Sequence, residues 1–178
     1  MAIPDGTLYH DGPHSAGSPA DVFDDHTVNT EHAGDAINFG SAVVLKDGEA
    51  VTASQGPIYG IALKRTYVDA ADLTEESINN DKWKAGETLG VAREGTWWVP
   101  ISEDVNRGDN ATVDANGKFK PAGSSDKIVG MFLSDGDKGS TATVQIRVQI
   151  EAGVSTNSST TPSQPSNNST DNSTSGKK

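Results

Sequence analysis

The chain has 178 residues, of which 33% are hydrophobic and 6% aromatic, with 19 glycines and 8 prolines, too little apolar material for a core along its whole length. It has no cysteine, which excludes disulfides, thiolate metal sites and cysteine nucleophiles. The formal charge of −11 argues against nucleic acid or an anionic membrane as partner.

No run approaches the roughly 18 apolar residues of a membrane span. The opening MAIPDGTLYHDG has neither the basic start nor the apolar stretch of a secretory leader. The expectation is a soluble protein made in the cytoplasm.

Residues 1–35 stand apart. Asp5, Asp11, Asp21, Asp24, Asp25, Glu31 and Asp35 fall here, and the first cation is Lys46. All four histidines, His10, His14, His26 and His32, lie here too. Pro4, Pro13 and Pro19, with scattered glycines, deny a helical or alternating pattern. Tyr9, Val22 and Phe23 are isolated apolar points. The stretch reads as an extended N-terminal arm whose anchors dock on another surface.

Residues 36–151 carry the strand signals. Ala42 to Lys46 reads as a strand, Asp47-Gly48 as a two-residue turn and Glu49 to Ser54 as the return. In Ile58 to Tyr67 the alternation places Tyr59, Ile61 and Leu63 on one face. Asp69 to Asn80 lacks that alternation and suits a short helical excursion capped by Asp69.

Gly86 to Ile101 then reads as a hairpin: Leu89 and Val91 alternate, Arg93 to Thr96 turns, and Trp97, Val99 and Ile101 return. Asn106 to Asp109 is a turn and Ala111 to Ala115 a strand. Asn116-Gly117 is a type I′ hairpin signal, and Lys127 to Leu133 a further strand. Thr141 to Ile150 closes the domain with Ala142, Val144, Ile146, Val148 and Ile150 facing in. About nine short strands with frequent turns predict an all-β fold, a small barrel or sandwich.

Residues 152–178 are low-complexity: of the 21 residues from Ser155 to Ser175, 17 are Ser, Thr or Asn. With no apolar residue there to offset ordering, the expectation is a disordered tail.

Candidate sites are sparse. His10 and His14 have a metal-binding spacing, but Gly12-Pro13 between them opposes the helix that would align them, so no metal site is expected. Asp114 to Gly117 and Asp135 to Asp137 resemble fragments of calcium loops without the distal Glu, and read as turns. Arg107-Gly108-Asp109 is an adhesion tripeptide that turn chemistry explains as well. The acceptor patterns at Asn110, Asn157, Asn167, Asn168 and Asn172 follow from composition. Residues 36–151 contain no histidine and the chain no Gly-x-Ser-x-Gly, so neither a catalytic constellation nor a cofactor is expected.

Phe39-Gly40, IYGIALKRT (58–66), WKAGETLGVAREGTWWVPI (83–101), VNRGD (105–109) and ATVQI (142–146), taken in order and spacing, resemble bacteriophage structural cement proteins, or head decoration proteins. The resemblance covers about residues 36–150. It implies a small β-barrel-like subunit on the exterior of an assembled capsid, in the virion. It further implies a homotrimer at three-fold or quasi-three-fold positions, with the arm laid on the major capsid protein. The tail has no counterpart in that pattern. A carbohydrate- or receptor-binding β module is the alternative, and would need an exposed aromatic platform at Trp97 or Trp98.

Overall fold

The break in alternation at Arg93 to Thr96 is a bend inside one strand, and the fold is built around it. The computed structural model describes residues 16–20, 25–65 and 82–149. They form β1 (Thr27–His32), β2 (Ile37–Asn38), β3 (Ala42–Lys46), β4 (Glu49–Thr52), β5 (Gly60–Ala62), β6 (Lys82–Trp83), β7 (Thr88–Pro100), β8 (Asn110–Val113), β9 (Phe119–Pro121), β10 (Gly130–Phe132) and β11 (Thr141–Ile146). The fold is all-β, with no helix among the described residues. Asp69 to Asn80, the expected excursion, lies outside them.

One curled antiparallel sheet runs β4-β3-β5-β7-β11-β10-β8-β9, with β1 also on β7, and β2 pairs with β6. Isolated parallel bridges draw in its ends, Ala33 to Ala50 and Ile101 to Phe119. The result is barrel-like.

The expected hairpin at Gly86 to Ile101 is therefore corrected: β7 is continuous over 13 residues. A two-residue I′ turn needs positive φ at both central residues, and only Gly95 has it here, at 116°. Thr27 pairs with Glu94 but Val28 with Ala92, so Arg93 is an extra residue on β7, a β-bulge. One inserted residue exchanges the two faces of a strand. Leu89 and Val91 face one core cluster, whereas Ala92, Trp97, Val99 and Ile101 face another. A turn and a bulge break the period in the same way; partners on both flanks make this one a bulge. Ala92 pairs with both Val28 and Ile61, and Trp97 with both Val144 and Pro19.

The larger cluster includes Ile58, Ile61, Trp97, Phe119, Phe132 and Val144; the smaller includes Ile37, Val43, Tyr59, Leu89 and Val91. Tyr59 thus leaves the face assigned to it with Ile61. Burying each such side chain contributes roughly 1.5–3 kcal/mol.

Two further expectations change. At Asn116-Gly117 only Gly117 has positive φ, at 72°. Gly117 N donates to Asp114 O (3.1 Å) and Asp114 N to Lys118 O (2.8 Å), which makes a three-residue loop. The Asp114 carboxylate holds that geometry by accepting from Asn116 N and Lys118 N, at 2.8 and 2.9 Å. At the closing strand pairing stops at Ile146, and Val148 is 47% exposed.

Within 1–35, the described residues are extended and track β7. Gly17 N donates to Trp98 O (2.8 Å), Trp98 N to Ser18 O (3.0 Å) and Ala20 N to Thr96 O (2.9 Å). β1 then pairs with residues 88–94 although five of its six residues are exposed. A polar clasp fixes it: Asn29 Nδ2 donates to Tyr59 Oη (2.8 Å), and Tyr59 Oη donates to Glu31 Oε1 (2.5 Å).

Candidate interaction surface

The anchors expected to meet a capsid, Tyr9, Val22 and Phe23, lie outside the described residues, as do His10 and His14. Their flanks are described. Ala20 is bonded to Thr96, and His26 lies at 4.7 Å from the Trp97 ring. A Cβ on Gly95 would come within 2.4 Å of His26 Cδ2, so glycine is needed there both for its φ and for the imidazole.

The carboxylates that might have suggested adhesion or calcium are engaged in loop structure. Asp109 Oδ2 accepts from Asn106 N (2.9 Å), and Asp135 Oδ1 from Arg107 N (2.8 Å). Asp104 Oδ1 accepts from Lys138 N (2.7 Å). No acidic or histidine cluster able to hold a metal occurs among the described residues.

The proposed aromatic platform does not form at Trp97, which is 3% exposed with Nε1 donating to Glu94 O (3.2 Å). Trp98 is half-buried, with residues 17–18 bonded to its backbone. No aromatic side chain among the described residues is exposed.

Exposed apolar side chains gather elsewhere. Four large ones are exposed among the described residues: Val28, Ile128, Met131 and Val148. The last three surround an open groove of about 340 Å³ where β10 lies between β8 and β11. Met131 pairs across to Gln145 on one side and Asn110 on the other, a row of outward-facing side chains. Gln149 seals the groove's end: its Nε2 donates to Val129 O (3.0 Å), and its Oε1 accepts from Ile58 N (2.8 Å). None of the groove's lining residues is acidic, and Arg147 at its rim pairs with Glu94 at 2.5 Å.

This surface differs from the expectation at Val148, which alternation places in the core; Ile128 and Met131 fall within the expected strand Lys127 to Leu133, and nothing local marks them as exposed. The available signal was Gly130, since glycine inside a strand marks a close approach, and here a Cβ would lie 2.4 Å from Gln145 O.

Together these features define a β-barrel-like module with an exposed apolar groove. The model of the phage structural cement protein family (E217 gp24/Pam3 gp6) matches residues 6–147, and the chain belongs to that family. It is a phage structural protein of the cement class. A chain in a solved phage capsid shares the fold. A chain of the capsid of Myoviridae phage XM1 has a TM-score of 0.58 at 13% identity, covering 83% of this chain and 98% of that one. The head fiber gp8.5 N base of bacteriophage phi29 has a TM-score of 0.49 at 15% identity, covering 68% of this chain and 94% of the other. No curated protein sequence matches.

Proposed function

We propose that the protein binds the outside of an assembled phage capsid and reinforces it, without catalysing a reaction. In this reading residues 1–35 are an arm, bonded to β7 where it is described and reaching the major capsid protein through its anchors, with 36–151 the decoration domain and 152–178 a solvated tail. Copies sit as homotrimers at three-fold or quasi-three-fold positions. Tyr9, Val22 and Phe23 are the arm's anchors, each contributing roughly 1.5–3 kcal/mol if fully buried on a neighbour.

The observation that carries this reading is the extent of the family match. It begins at residue 6, takes in most of the N-terminal stretch and ends at 147, ahead of the tail. A stretch that falls within the span matched by a structural cement family fits assembly better than free solution. Its described part is already bonded along β7, so the anchors have backbone on either side or downstream that is held in place.

The test is co-sedimentation with empty capsids. Deleting residues 2–15 spares the segment bonded to β7 and should weaken attachment at least tenfold, about 1.4 kcal/mol, with the circular dichroism unchanged. Tyr9→Ala should weaken it in the same sense. Undiminished decoration by the truncated chain would overturn the arm's role.

A further inference from the structure

The groove between β8 and β11 has an exposed apolar rim that no described element of the chain covers. Its three apolar residues are 57% (Ile128), 44% (Met131) and 47% (Val148) exposed. They are brought together from β10, the loop before it and the chain just beyond β11, and the side chains between them, Asn110, Gln145 and Gln149, are neutral. A cluster of this size is small beside the patches that mark stable interfaces, and fits a weak contact. Methionine suits one because its unbranched side chain adapts to whatever packs on it.

Charge selects the occupant. With 25 acids against 14 cations, the chain repels its own copies over most approaches. This face is an exception. Its lining has no acid, and Glu94 beside it pairs with Arg147 at 2.5 Å. Two or three copies meeting here bury apolar surface without placing carboxylates against each other. A two-fold contact brings the same patch of each copy together, and in a closed trimer a patch on the axis likewise meets its own copies there.

The geometry points to this groove face, centred on Met131, as the contact between copies of the chain. The inference rests on the homotrimer in the proposed function and gives that trimer its axis. Three half-exposed side chains per copy are few beside the 20–30 residues a side of a standard interface. The contact is therefore weak in free protein and grows on a shell, where neighbouring copies are held close.

The experiment is the solution mass of the full chain, by sedimentation equilibrium over a wide concentration range at low and high salt. Wild type should exceed one chain at high concentration, and salt should strengthen association by screening acid repulsion. Met131→Glu should weaken association at least tenfold with an unchanged melting temperature, while Met131→Leu keeps it. Ile128→Glu is the second probe should Met131→Glu lower the melting temperature.

A one-chain mass for wild type at every concentration overturns the inference, as does wild-type association in both glutamate variants. Association that weakens with salt overturns it too, since charge would then hold the copies. A monomeric wild type whose Met131→Glu variant alone fails on capsids assigns the face to the shell instead. Mass is read without capsids, so failure of capsid attachment and failure of this contact are separable.

Discussion

The two halves of β7 lie in two differently built regions. Beyond the bulge, residues 95–100 join β8 to β11 around the larger cluster, with Phe119, Phe132 and Ile146 fully buried. Before it, residues 88–94 join β1 and β5 around a smaller cluster whose rim is held by polar clasps. Arg93 places its guanidinium 3.6 Å from the Tyr59 ring centroid, and Tyr59 holds Asn29 and Glu31 of β1. Arg65 lies 4.6 Å from the Trp83 ring centroid and pairs with Glu87 at 2.6 Å. Where apolar area is short, hydrogen bonds and cation–π contacts hold strands in place; where it is ample, packing does. The larger region has apolar residues to spare, and three of them lie on its surface.

This contrast breaks most sharply at Phe119. Phe119→Ala removes a fully buried ring at the bridge to Ile101, and should cost about 3–5 kcal/mol, read as the shift in the urea midpoint. The junction between the regions comes next. Gly95→Ala forces a side chain into a φ of 116° and against His26, and should cost about 1–3 kcal/mol. Gly108→Ala, with positive φ but nothing within 4 Å, should cost less, about 1 kcal/mol, in the same melt. Equal losses at the two glycines would remove the crowding argument at Gly95.

Tyr59→Phe sharpens the comparison at the smaller region. It removes the hydroxyl that bonds Asn29 and Glu31, costing about 1–3 kcal/mol for the two bonds. Hydrogen exchange should quicken at Asn29 and Glu31 before Val144 changes; uniform acceleration would mean one cooperative unit. The smallest effect is at Arg65 and Glu87, whose side chains are 17% and 27% exposed. Glu87→Gln should cost about 0.2–1 kcal/mol, diminishing with salt.

Much of the β domain was legible from residues alone. Ala42 to Lys46, the turn at Asp47-Gly48 with φ of 55° and 87°, the turn at Asn106 to Asp109 and the start of the closing strand follow from alternation and turn chemistry. These signals are local: both depend on neighbours within a few positions. The all-β class followed from their spacing.

Three features were decided only by tertiary contacts. The break at Arg93 became a bulge because strands flank β7 on both sides of it. Thr27 to His32 became a strand with almost no apolar pattern, because its stabilisation comes from a ladder on β7 and from Tyr59, 28 to 30 positions away in sequence. Val148 left the core because pairing ended at Ile146, where Gln149 turns its amide to Ile58 and Val129. The sequence by itself determined that this is a β protein, since period and turn residues are properties of adjacent positions. Which face each strand buries, and which apolar residues remain outside, depends on partners distant in the chain, and only the folded sheet decided that.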